Sequence, residues 1–69
     1  MKAEPDLILV SGDVVKFRTR EAHQAYGYGI IIEVMPKHFK ECRFTNYRVF
    51  FPAKKRVLFI GSYMLWLIN

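Results

Sequence analysis

Cations and rings are the residues in this chain that can do chemistry. Lys37, Lys40 and Arg43 recur at three-residue intervals around Phe39, Arg48 follows, and Lys54, Lys55 and Arg56 form an unbroken run. Lys16, Arg18 and Arg20 alternate with uncharged residues nearer the start. Lysine and arginine at such density neutralise phosphates, and they make binding fall steeply with salt. Phe39, Phe50 or Tyr26 can supply faces on which bases stack. The whole chain agrees with this bias: eleven Lys and Arg against six Asp and Glu give a net charge of +5. A solvated rim explains the same residues differently, because lysines on hairpins also keep sheet edges from pairing with other chains. Arg48 stands apart from both groups, since it sits between Tyr47 and Val49 within an apolar stretch and not at a tip.

Other chemistries find little support. Cys42 is the only cysteine, so no disulfide can form within the chain, and no Cys/His spacing suits zinc. It reads as a small hydrophobe and not as a nucleophile. His23 and His38 have no carboxylate or cysteine at useful spacing, and both are expected in exposed loops. Asp13 belongs to a turn. Gly27-x-Gly29 lacks the following helix that a dinucleotide fingerprint requires. The expectation is a protein without catalysis, cofactor or metal.

Short β-strands must position these side chains. Ser11-Gly12-Asp13 is a turn signal that launches Val14 to Arg18, where Val15 and Phe17 face inward and Lys16 and Arg18 outward. Thr19 to Ala25 is a polar connection, in which Glu21 to Ala25 can form one helical turn capped by Thr19. Tyr26 to Met35 reads as the long central strand, because three consecutive isoleucines suit a pleated surface. Its even positions, Tyr28, Ile30, Ile32 and Val34, are all apolar and are expected to form its buried face. The glycines at 27 and 29 are expected to let that strand coil. Pro36 to Arg43 is a basic loop. Thr45 to Phe51 is the next strand, with Tyr47, Val49 and Phe51 inward. Pro52 to Lys55 makes a hairpin turn. In Arg56 to Ile60 periodicity leaves the inward face open. Ser62 is placed to cap a 3₁₀ turn through Leu65, before a last strand at Trp66 to Ile68. About five evenly punctuated strands without a long helix indicate a small all-β barrel. Residues 1–10 read as a tail followed by a short edge strand or a segment covering one end, and residues 11–69 as one domain.

Gly12-Asp13-Val14-Val15 is similar to the opening of small barrels of the KOW and Tudor type. Phe59 to Ile68 is similar to the strand, 3₁₀ turn and last strand that close SH3-like barrels. Tyr47-x-Val49-x-Phe51-Pro52 with its basic hairpin resembles short uncharacterised barrel proteins of tailed, particularly marine, phages. The resemblance implies a five-stranded SH3-like barrel over residues 11–68. The acidic first loop of peptide-binding SH3 domains is absent, so proline-rich peptides are not the expected ligand.

The surplus of apolar residues adds a second expectation. With 52% apolar residues in a 69-residue chain, a small barrel interior cannot hold them all, and large exposed patches mark contact sites. Leu58, Ile60, Met64 and Trp66 are the candidates for such a surface. Partners are therefore nucleic acid or an acidic protein surface, with a homo-oligomer as a further possibility. No stretch reads as a secretory signal or reaches the roughly 18 residues of a membrane span. The expected compartment is the cytoplasm, that of the host if the protein is phage-encoded. Nucleic-acid or transcription-associated binding is the leading expectation, and a protein–protein or virion-associated role through the apolar patch is its alternative.

Overall fold

The computed structural model describes residues 8–35 and 44–68. Lys37, Phe39, Lys40 and Arg43, together with His38 and Cys42, lie outside the described residues. Five strands follow one another in the chain: β1 (Val14–Phe17), β2 (Gly29–Met35), β3 (Asn46–Phe51), β4 (Arg56–Gly61) and β5 (Leu65–Leu67). Helix α1 (Arg20–Tyr26) separates β1 from β2, and a 3₁₀ turn over Ser62–Met64 separates β4 from β5. All neighbouring pairs are antiparallel, in one sheet ordered β4-β3-β2-β1-β5. The chain is thus mostly β, as its pattern indicates.

Strict alternation fixes two strands. In β1, Val15 and Phe17 are buried while Lys16 is partly exposed, and in β3, Tyr47, Val49 and Phe51 are buried while Arg48 is exposed. These five apolar residues join Leu9, Ile31, Ile60 and Leu65 in the core. The rings of Phe17 and Phe51 stack 5.3 Å apart and nearly parallel.

The central strand is turned over relative to the sequence expectation. Gly29 and Ile31 face the core, whereas Ile30 and Ile32 are 37% and 43% exposed, and Tyr28 and Val34 are exposed too. The cause is steric. A side chain at Gly29 would place its Cβ 2.5 Å from Val49 Cγ1 and 2.8 Å from Phe51 Cε1. The glycine is therefore the space those two side chains fill, and its face must be the inner one. The register then slips by one residue: Ile31 pairs with Val49 but Glu33 with Arg48, leaving Ile32 as the extra residue, as in a β-bulge. The two glycines also divide their work. Gly27, with φ at +73°, ends α1 by donating its N–H to His23 O at 2.7 Å, a conformation that suits glycine.

Pairing with β3 settles β4. Ile60 lies opposite Tyr47 and is buried, Leu58 lies opposite Val49 and is half-buried, and Val57 and Phe59 point outward. The 3₁₀ turn has Gly61 at its N-cap, so Ser62 is its first residue and not its cap. Ser62 is buried, with its N–H donating to Thr45 O at 2.9 Å. Near the start of the chain, Leu9 is buried and its N–H donates to the Tyr47 hydroxyl at 2.9 Å. Residues 8–10 thus cover one end of the core without forming a strand. Asp13 shapes the following turn, accepting at Oδ2 from Val10 N–H at 2.9 Å.

Candidate nucleic-acid interface

Three cations gather where β1 runs into helix α1. The helix is short, and its start is held by Thr19, whose Oγ1 accepts from Ala22 N–H at 3.4 Å. Tyr26 anchors its other end, tilted against Phe17 at 5.5 Å and Phe51 at 5.4 Å. Ala22 also packs against the core. Because β1 leads directly into Thr19, the outward side chains of β1 and the first turn of α1 face the same space. Strand β5 closes that space from the other side, since Lys16 pairs with Trp66 and Phe17 with Leu65.

The result is a groove of about 390 Å³ lined by Lys16, Phe17, Arg18, Thr19, Arg20, His23 and Trp66. Trp66 is 49% exposed. Lys16 Nζ lies 5.6 Å and Arg18 Cζ 5.9 Å from the centre of its ring, within reach of the attraction between a cation and the indole quadrupole. Arg18 is held in place as well: its Nε donates to Leu65 O at 3.3 Å and its backbone N–H to Met64 O at 2.9 Å. His23, expected in an exposed loop, lies on α1, partly buried and edge-on to Tyr28 at 5.0 Å. Its Nδ1 is buried without a hydrogen-bond partner among the described residues. The groove therefore offers three guanidinium or ammonium groups and one flat indole within a single concavity.

No known family, curated protein or solved structure matches the chain.

The other basic candidates among the described residues sit elsewhere. Arg48 projects from the outer face of β3 and makes an ion pair with Glu33, Nε to Oε1 at 3.5 Å, with both side chains about half exposed. An exposed pair of this kind adds little stability, but it offsets the charge that Arg48 would bring to a phosphate. Lys54, Lys55 and Arg56 belong to the β3–β4 hairpin, where Lys54 and Arg56 line a second groove with Ala25 and Tyr26. Of the apolar candidates, Ile60 is buried, and Leu58 and Met64 pack against the core. Leu58 and Ile60 have inward neighbours because even-numbered positions of β4 share the face of Tyr47 and Val49, and Met64 follows in the 3₁₀ turn. Trp66 is exposed, with Lys16 and Arg18 near its ring. Other exposed apolar residues include Ile30, Ile32, Val57, Phe59 and Ile68.

Sequence reasoning found the basic stripe of Lys16, Arg18 and Arg20 without joining it to Trp66. The joining signal is the strand order: fifty positions separate Lys16 from Trp66, and only adjacency of the first and last strands brings them together. Among the described residues no group of three or more His, Cys, Asp or Glu is placed to hold a metal ion. No described helix is long and apolar enough to cross a membrane.

Proposed function

We propose that this protein is a non-catalytic module that binds single-stranded nucleic acid in the Lys16–Arg18–Arg20–Trp66 groove. The observation that carries the reading is a half-exposed tryptophan with two cations within 6 Å of its ring centre. A base stacked on the open part of the indole puts its flanking phosphates among Lys16, Arg18 and Arg20. Stacking of this kind tolerates any base and is worth about 1–3 kcal/mol per base. Single strands suit the groove better than duplexes, whose base faces are hidden in the stack. The net charge of +5 favours encounter with any polyanion. We also propose that the sheet curls into a barrel of the SH3-like type, a reading supported by the strand order and by the 3₁₀ turn between the last two strands.

Trp66 is the only tryptophan, so its fluorescence reports on the groove directly. Titration with a short oligothymidylate at about 20 mM salt is expected to quench it. Three phosphate contacts predict a slope of log K against log salt near −2. Trp66→Ala, followed by anisotropy of labelled oligonucleotide, is expected to weaken binding about tenfold or more, as the loss of one stacked base implies. Arg18→Ala is expected to flatten the salt slope, and Arg48→Ala, which lies outside the groove, to change it less. Absence of quenching at low salt, or binding indifferent to salt, would refute the proposal.

A further inference from the structure

Granted single-stranded nucleic acid as the ligand of the groove, on which this inference rests, we propose that Tyr28 is a second stacking platform. The groove then holds two bases of one unstacked strand, with the phosphate that links them on Lys16. Trp66 and Tyr28 are both about half exposed, at 49% and 53%. Lys16 lies directly opposite Trp66 in the pairing of β1 with β5. On its other side β1 pairs with β2, Val14 opposite Ile30 and Val15 opposite Gly29. Continuing that register by one residue places Tyr28 beside Lys16.

Residues side by side across antiparallel strands project to one face. Gly29 faces the core, so Tyr28 before it points away, as Lys16 and Trp66 do. The outer face thus carries an aromatic, a lysine and a second aromatic in one row across β5, β1 and the residue that precedes β2. His23 ties this row to the groove. It lines the groove together with Lys16 and Trp66, and its ring meets that of Tyr28 at 5.0 Å with the planes 70° apart. That contact restricts the Tyr28 ring, and a ring positioned before binding loses little freedom on binding.

Spacing decides the form of the ligand. Two steps of about 4.8 Å between neighbouring strands put the Trp66 and Tyr28 backbones roughly 10 Å apart. Bases along one strand of a duplex follow one another at about 3.4 Å, so neighbouring bases that stay stacked do not reach both rings. A strand that opens its stack does, and its two bases then part to either side of their shared phosphate, where Lys16 stands. Opening is easiest in pyrimidine runs, since preferences of this kind follow stacking strength and backbone flexibility. The ligand class is therefore a pyrimidine-rich single strand. Tyr28 adds a flat face and no cation, so its loss lowers affinity without altering the salt dependence that phosphate contacts set.

Two substitutions separate stacking from packing: Tyr28→Leu removes the flat face but keeps an apolar side chain, and Tyr28→Phe keeps the face. Anisotropy of labelled hexathymidylate is expected to show binding weakened about tenfold or more by Tyr28→Leu, as one lost stacked base implies. The salt slope is expected to stay the same, and Tyr28→Phe to bind nearly as the unmutated chain does. Thymidine monophosphate occupies one ring at a time, so its quenching of Trp66 is expected to be equal in Tyr28→Leu and the unmutated chain. Hexaadenylate is expected to bind the unmutated chain more weakly than hexathymidylate. Unchanged hexathymidylate affinity in Tyr28→Leu, with Trp66 still quenched, overturns this inference and leaves the groove itself standing as the site. Equal weakening by Tyr28→Phe, or a matching loss of monophosphate quenching in Tyr28→Leu, overturns it as well, because Tyr28 then shapes the groove and holds no base. Tighter binding of hexaadenylate overturns the unstacked geometry. No quenching of the unmutated chain by any of these ligands removes both proposals together.

Discussion

Replacing Gly29 by alanine isolates the packing that orients the central strand. In most strands this change is mildly favourable, because glycine loses more chain entropy on folding, by roughly 0.5–1 kcal/mol. The backbone of Gly29 lies outside the left-handed region, so no conformational penalty cancels that gain. Space does. The new Cβ would approach Val49 Cγ1 to 2.5 Å and Phe51 Cε1 and Cδ1 to 2.8 and 3.1 Å. Neither neighbour can swing into solvent, since both are fully buried and Phe51 is stacked on Phe17. Forcing extra carbon into a filled core costs about 1–3 kcal/mol, and contacts this short belong at the upper end. The net expectation is destabilisation by about 2 kcal/mol, or roughly 8–16 °C in melting temperature for a domain this small. Valine at the same position adds two more methyl groups and is expected to cost more.

Thermal and urea unfolding followed by circular dichroism would measure the loss. A double-mutant cycle sharpens the test, because Val49→Ala removes the atom in the closest contact. Gly29→Ala is then expected to cost less in the Val49→Ala background than alone, with a coupling of at least 0.5 kcal/mol, as for residues in contact. Unchanged or raised stability of Gly29→Ala, or strict additivity in the cycle, would refute the claim that this glycine sets the inner face of β2.

Two further changes probe the frame around the groove. Lys55 has φ at +52° in the β3–β4 turn, a conformation that costs an ordinary side chain about 1–2 kcal/mol; Lys55→Gly is expected to raise stability by about 1 kcal/mol in urea unfolding without shifting nucleic-acid affinity more than one lost exposed charge allows. Tyr47→Phe deletes the hydroxyl that accepts from Leu9 N–H, and the stranded donor is expected to cost about 1–3 kcal/mol and to speed hydrogen exchange at the Leu9 amide.

Legibility in the sequence follows the contrast between the two faces of each strand. In β1 and β3 the outward positions carry Lys16, Asn46 and Arg48 beside Val14 and Phe50, which is enough contrast to read Val15, Phe17, Tyr47, Val49 and Phe51 as inward, and they are buried. In β2 and β4 both faces are apolar, and alternation carries no sign. For β2 the deciding residue was the one with no side chain: Gly29 marks the inner face because Val49 and Phe51 occupy its space, a fact that appears only when β2 and β3 are paired. The groove was hidden for a related reason, since Trp66 looks like one more apolar residue until β5 is set beside Lys16. Yet the lack of contrast in β2 and β4 is itself informative. A two-layered apolar strand in a single sheet can bury only one of its faces, so the other must remain outside. Ile30, Ile32, Val57 and Phe59 are that other face. The ambiguity that makes these strands hard to orient thus has the same physical origin as their apolar outer surface: a sequence that specified only one apolar face would have been readable.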